Sequence, residues 1–192
     1  MAVVISGSGT VTGISVGGLP DGIVDSGTLA TDSVDSAELI DGAIDAAHLA
    51  SGVRGKALQV VSMETSALNT TSSTSYVDST ITLAITPSAT SSKVLVMYEV
   101  NGVAKDVTAS KVQILLKRDS TDLKAISDVL ADGITDDRSH IAGFDLDSPS
   151  TTSATTYKIQ YKRVSGSGDV NINKVSSTAQ TTSSITLMEI GA

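Results

Sequence analysis

The 192-residue sequence contains no cysteine, no tryptophan and a single phenylalanine, Phe144. Without cysteine, the chain can form no disulfide framework and offers no thiolate metal site. This absence fits a reducing compartment. Aromatic residues account for only 3% of the chain, so a core must be built mainly from aliphatic side chains, which the hydrophobic fraction of 40% can supply.

Positive charge is also scarce, because 13 Lys and Arg stand against 21 Asp and Glu, for a formal net charge of −8. Nucleic acids and anionic membrane surfaces both attract basic faces, so neither is an expected partner. No apolar run approaches the roughly 20 residues that a membrane span requires. The first ten residues lack the basic region of a secretory signal. We therefore expect no export signal and no membrane insertion.

From residue 57 onward, β-branched residues alternate with polar ones, and clusters of Ser, Thr, Gly, Asp and Asn separate these segments. Roughly a quarter of the chain is Ser or Thr, which favours strands joined by tight polar turns. Because no long helical patterns intervene, we predict a mainly β protein with an antiparallel β-sandwich of jelly-roll type. The predicted strands lie at 56–63, 75–87, 92–104, 110–120, 122–127, 140–147, 155–165, 169–175 and 183–192. Segment 126–137 is compatible with a short helix or a loop.

A ten-residue repeat precedes the predicted sandwich. Each unit contains a β-branched residue, then an aspartate, then a leucine. The three units are Val24-Asp25 with Leu29, Val34-Asp35 with Leu39, and Ile44-Asp45 with Leu49. The β-branched residue suits an extended segment, and the aspartate can cap the free N–H groups of a following helical turn. Each unit therefore predicts an extended step, a capped turn and one large apolar side chain.

One such unit buries too little apolar surface to offset the conformational entropy lost when it is ordered. Solenoid proteins solve this problem by stacking many units, whereas only three are present here. We therefore predict an extended homotrimeric stalk, in which three copies of the chain pool these side chains around one axis. The predicted stalk core consists of Val24, Leu29, Val34, Leu39, Ile44 and Leu49. The alternative is a disordered linker, although linkers have no need for periodic large apolar residues.

The order of a Gly-rich segment, V-D-x-x-x-L repeats and a Ser/Thr-rich β region resembles the tail-fibre-like virion proteins of bacteriophages of aquatic bacteria, over most of the chain. The resemblance implies a particle anchor at 1–22, a repeat stalk for oligomerisation at 23–56 and an exposed β-sandwich head at 57–192. It also implies assembly in the bacterial host cytoplasm and a place in the virion. The N-terminal segment would bind other virion proteins, and a host-surface glycan is a further candidate partner of the head.

Three functions remain open at this point. The first is a non-enzymatic homotrimeric fibre that displays its head for host attachment. The second is a trimeric cement or decoration protein of the capsid, which the short length of the chain favours. The third is a carbohydrate-binding or hydrolytic module, but the sequence contains no Gly-x-Ser-x-Gly elbow and no P-loop spacing. We therefore predict no catalytic residue and no cofactor.

Acidic residues and a histidine offer two weak candidates for a metal site. Asp136, Asp137 and His140 are close in sequence, and Asp128 and Asp132 precede them. Their spacing is not that of an EF-hand loop, which needs alternating oxygen ligands, a central glycine and a distant glutamate. A solvated acidic turn explains these residues without an ion, so we predict no bound metal.

Replacing two stalk leucines together, Leu29→Ser and Leu39→Ser, should release monomers because the shared apolar core is lost. Light scattering measures the mass, and circular dichroism should show that the sandwich remains folded. The matched changes Thr28→Ser and Ser36→Ala, one in each of the same two repeats, should leave the oligomer intact. A trimer that survives both leucine changes would contradict the stalk.

Overall fold

The computed structural model describes residues 4–5, 11–12, 56–127, 130, 133, 137–176 and 180–191. Contacts divide the chain into two units, Met1–Arg54 and Gly55–Ala192. In the first unit, strand β1 (Val4–Ile5) pairs antiparallel with β2 (Val11–Thr12). The six predicted stalk residues lie outside the described residues, so the homotrimeric stalk stays a prediction.

The regular structure described in the second unit consists of β-strands, and their pairings are antiparallel. All nine predicted strands are confirmed, some with shifted ends. The strands are β3 (Ala57–Thr65), β4 (Asn69–Thr71), β5 (Val77–Ile85), β6 (Lys93–Lys105), β7 (Lys111–Arg118), β8 (Thr121–Ser127), β9 (Arg138–Asp147), β10 (Thr155–Ser165), β11 (Val170–Ile172) and β12 (Ser183–Ile190).

Strand β4 departs from the sequence pattern, which places Asn69–Thr71 in a polar connection. The structure pairs this segment with β11. The Asn69 side chain adds two bonds to β5, a strand of the other sheet, because its Nδ2 donates to Thr80 Oγ1 at 3.0 Å and its Oδ1 accepts from the Thr80 N–H at 2.9 Å. These bonds stabilise a strand whose residues have no apolar alternation to reveal it. In segment 126–137, β8 continues to Ser127, and most of the remainder lies outside the described residues.

The strands form two sheets. The small sheet has the order β5-β10-β7-β8, and the large sheet has the order β3-β12-β6-β11-β4, with β9 on the other edge of β6. Along one edge, β6 pairs with β12 over residues 93–99 and with β11 at 104–105. Strands β12 and β11 therefore share one column of the large sheet, and β3 and β4 share the next. Each sheet is four columns wide.

The two sheets pack face to face as a β-sandwich, which confirms the predicted antiparallel sandwich. Alternate residues of each strand point inward, as the burial of every second position in β12 and β10 shows. Three of the four tyrosines, Tyr98, Tyr157 and Tyr161, are 4%, 0% and 2% exposed. The fully buried aliphatic core includes Ile81, Val94, Val96, Ile114, Leu116, Ile159, Ile185 and Leu187.

Asn173 directly follows β11 and lies where the column formed by β11 and β12 is interrupted. It is fully buried and has a positive φ of 64°, a conformation that asparagine tolerates better than most residues. Its Nδ2 donates to the carbonyl oxygens of Thr65 and Ala67 at 3.1 and 2.9 Å, and its Oδ1 accepts from Ser183 Oγ at 2.5 Å. One side chain therefore ties the end of β3 to the start of β12.

Asn173→Ala should lower the free energy of unfolding by about 2 to 4 kcal/mol, because the Thr65 and Ala67 carbonyls lose their donor, the buried Ser183 hydroxyl loses its acceptor and alanine disfavours positive φ. Urea denaturation measures this loss. Asn173→Gly allows the positive φ, so it should recover only the part of the lost free energy of unfolding that comes from backbone strain. If both variants were as stable as the parent chain, the interruption would not depend on this side chain.

Candidate functional site

The outer face of the small sheet is polar and internally paired. Asp78 accepts hydrogen bonds from Lys158 Nζ at 3.0 Å and from Gln160 Nε2 at 2.7 Å, and these bonds lower its pKa. Lys117 Nζ lies 2.8 Å from Asp122 Oδ1. Such a face is adapted to water, as expected for the exposed side of an antiparallel sheet.

The outer face of the large sheet is apolar over half of its length. The strand register aligns Val60, Met188, Leu95 and Leu146 in one row across β3, β12, β6 and β9. The next row contains Met97 and Phe144 beside Ser62 and Thr186. We call the large side chains of this region the apolar face: Leu58, Val60, Leu95, Met97, Phe144, Leu146, Met188 and Ile190.

The described residues leave the apolar face open to water. Phe144 is 70% exposed, Val60 54%, Leu146 53% and Leu58 47%, and the other four are half-buried. Single exposed apolar side chains are normal, but a contiguous group marks an interaction surface or a ligand-binding groove. The contrast with the small sheet makes this face the candidate functional site of the molecule.

The face is divided along the strands. Its polar half begins at the row that contains Glu64, Ser184 and Glu99. The apolar half lies at the opposite end, where the chain enters β3 at Ala57 and leaves β12 at Ile190. A hydrogen bond of 2.7 Å from the Gly191 N–H to the Lys56 carbonyl oxygen joins the residue before β3 to the residue after β12.

A concavity of about 680 Å3 lies in this surface. Its lining residues are Leu95, Met97, Tyr98, Glu99, Ala142, Gly143, Phe144, Ser184 and Thr186. Gly143 pairs with Tyr98, and a Cβ at Gly143 would lie only 2.5 Å from the tyrosine hydroxyl oxygen. The glycine therefore makes room for the buried Tyr98 ring between the strands that carry Phe144 and Met97.

A buried carboxylate supports the apolar half from behind. Glu189 is fully buried on β12 and accepts bonds from Gln59 Nε2 at 2.7 Å, the Ser88 N–H at 2.7 Å and Ser88 Oγ at 2.6 Å. Burial raises the pKa of this carboxyl, but the hydrogen bonds outweigh it and lower the pKa to about 2. The charged form therefore ties β3, β12 and the segment after β5 together.

Strand β9, which carries Phe144 and Leu146, is fixed by an ion pair to the small sheet. Arg118 Nη1 lies 2.7 Å from both carboxylate oxygens of Asp147, and the Tyr157 hydroxyl donates to Asp147 Oδ2 at 2.7 Å. Burial and the bond to Asp147 raise the pKa of Tyr157. Because Asp147 directly follows Leu146, this cluster sets the position of the exposed apolar side chains on β9.

The structure does not describe the six predicted stalk residues, nor Asp128, Asp132 and Asp136. His140 is exposed and lines a depression of about 270 Å3 together with Arg138 and Lys174, a basic rather than metal-binding environment. Among the described residues, no group of three His, Asp or Glu side chains lies close enough to hold a metal ion.

Sequence reasoning missed the apolar face, although a signal for it is present. Residues 94–98 of β6 read Val-Leu-Val-Met-Tyr, an unbroken apolar run without the alternation expected of a strand with one face in water. Val60-Val61 and Leu187-Met188 show the same doubling on β3 and β12. Adjacent strands with apolar residues on both faces indicate a sheet that is covered on both sides.

Comparisons with known proteins add little to this geometry. No protein-family model matches the chain, and no curated protein matches it. Among solved structures, the fold is distantly similar to a chain in the structure of infectious bursal disease virus, Gx strain, with 12% sequence identity and a TM-score of 0.32. The match covers 70% of this chain and 43% of the viral one. The description of the fold given above therefore rests on the strand order of this chain and not on this match.

Within the described residues, no helix is long and apolar enough to cross a membrane.

The low pKa of Glu189 predicts acid sensitivity. Since its folded pKa of about 2 lies below its ordinary value of 4.5, its stabilising contribution is complete above about pH 4.5 and is lost as the pH falls towards 2. Glu189→Gln should be less stable at neutral pH and should show a flatter decline in acid. Ser88→Ala removes one donor and should fall between the two. Thermal unfolding from about pH 6 to pH 2 measures these slopes, and identical slopes would refute the role of Glu189.

Proposed function

We propose that this protein is a non-enzymatic structural component of a bacteriophage virion, a homotrimeric fibre with a β-sandwich head. Its N-terminal segment attaches to other virion proteins, and its head faces outward, where it can meet the host surface. The single observation that carries the proposal is the order of the parts. A segment of periodic leucines, which predicts association between copies of the chain, is followed directly by a β-sandwich with four strand columns in each of its two sheets.

The strand order supports a jelly roll in particular. With β3/β4 and β11/β12 each taken as one strand, the eight strands follow the chain through the sheets in the order large, small, large, small, small, large, small, large. The first and last strands are neighbours in the large sheet. This double-sheet arrangement of two Greek keys is used by viral structural proteins and by lectins. Because a fold does not determine a function, the repeats rather than the sandwich identify assembly as the task.

A glycan-binding head is the second candidate, and the concavity of the large sheet favours it. Phe144 offers an exposed ring for stacking against a sugar, and Glu99, Ser184 and Thr186 offer polar groups beside it. The apolar face extends beyond this concavity to Leu58 and Ile190, which a sugar would not need. Binding of host polysaccharide by the parent chain, lost in Phe144→Ala, would favour the lectin function.

The full chain should have a mass near three times 19.5 kDa by light scattering at micromolar concentration. A monomer at that concentration would contradict the fibre. Location is tested separately, by gel densitometry of purified particles that contain the protein. A few copies per particle would place it on a tail, whereas hundreds of copies would make it a decoration protein of the capsid.

A further inference from the structure

We infer that the apolar face is an interface between copies of this chain, through which the heads of the trimer pack against one another. The inference rests on the proposed trimer and adds to it a second contact, formed by the β-sandwich. The occupant of the face is another copy of the same large sheet.

The chemistry of the surface favours another copy as the occupant. The face presents aliphatic side chains, two methionines and one phenylalanine, and its central row contains no charged or hydrogen-bonding side chain. A polar ligand would gain no hydrogen bond from the side chains of this row, whereas an apolar row from another copy removes it from water. The small sheet shows that the same chain can build a water-adapted face, with paired Lys158 and Asp78.

The position of the apolar face along the chain also favours another copy. The last leucine of the predicted stalk repeats is Leu49, and Leu58 is the first residue of the apolar face, nine residues later. Nine residues span at most about 30 Å when fully extended. Three chains joined by their repeats therefore hold the starts of their β3 strands within a short distance of one another. At such an effective concentration, even a weak contact between faces becomes favourable.

The face is divided along the strands. Large apolar side chains fill the row of Val60 and Leu95 and part of the row of Met97 and Phe144. The row on one side contains Glu64, Ser184 and Glu99, and the row on the other contains the exposed Lys93 opposite Ile190. In a parallel trimer, like rows from the copies approach one another. The apolar rows would then meet, while the like charges of the glutamates and of Lys93 would repel and remain in water on either side.

In a contact of this kind, one edge of the large sheet in one copy packs against the opposite edge of the large sheet in the next copy. In a threefold arrangement the contacts are heterologous, so the β3 side of one copy meets the β9 side of the next. Val60 and Leu146 lie on these two sides in the same row. Both are more than half exposed in the single chain, so they can be replaced without disturbing the core.

The absence of cysteine makes the test direct. In the full chain, Leu146→Cys introduces the single thiol of the molecule. Because Leu146 of the neighbouring copy lies three strand spacings, about 14 Å, beyond its Val60, a bis-maleimide that spans about 20 Å can then link only two different copies. Thr82→Cys is the matched control, because Thr82 is exposed on the outer face of the small sheet. We expect covalent dimers from Leu146→Cys and none from Thr82→Cys under the same conditions. With a monofunctional maleimide, the thiol at position 146 should react about tenfold more slowly than the thiol at position 82.

A second variant separates this inference from the proposed trimer. Adding Val60→Asp to the Leu146→Cys chain should abolish cross-linking while light scattering still reports a trimer held by its stalk. A trimer of the Leu146→Cys chain whose thiol reacts freely and forms no cross-link would overturn the head interface and leave the fibre intact. Protection of that thiol without cross-linking would mean that something other than a second copy covers the face, which also overturns the inference. A monomer would overturn both proposals.

Discussion

Strand β6 is apolar on both faces from Val94 to Tyr98, and the rest of the sandwich is arranged around that constraint. A strand with two apolar faces must sit in the middle of its sheet and must be covered above and below. The small sheet covers one side and forms the closed core. On the other side, Leu95 and Met97 form part of a surface that the described residues leave uncovered, so the fold itself raises the question of what covers it.

Buried polar groups fix the geometry of that surface from beneath. Asn173 joins the interrupted column, Glu189 ties β12 to β3, and Asp147 anchors β9 to the small sheet through Arg118. Each lies at a strand end or break, where backbone pairing alone is weakest. Satisfied networks of this kind are rigid, because breaking any member leaves a buried group without a partner. The exposed apolar side chains are therefore held on a stiff platform rather than on loops.

The sandwich was largely predictable because alternation of apolar and polar residues reports one buried face, and it located nine strands. Strand β4 escaped because Asn69, Thr70 and Thr71 carry no alternation, and its stability comes from partners far away in the sequence, such as Asn171. The apolar face was not predicted for a different reason. Consecutive apolar residues predict that both faces of a strand are buried, but they do not identify the surface that covers each face. The predicted stalk would depend on contacts between chains, which the sequence pattern of one chain can suggest but cannot show.

The neighbours of β3 have a consequence for how the protein is made. The first strand of the sandwich pairs with the last, since Val61 lies opposite Leu187 near the C-terminus. The large sheet therefore cannot close until β12 has left the ribosome, whereas the leucine repeats emerge much earlier. The outer apolar rows are complete only once β12 has paired with β3 and β6, and the association proposed for the repeats would be able to begin before that. This order of events would by itself protect the nascent chain from premature association through the apolar face.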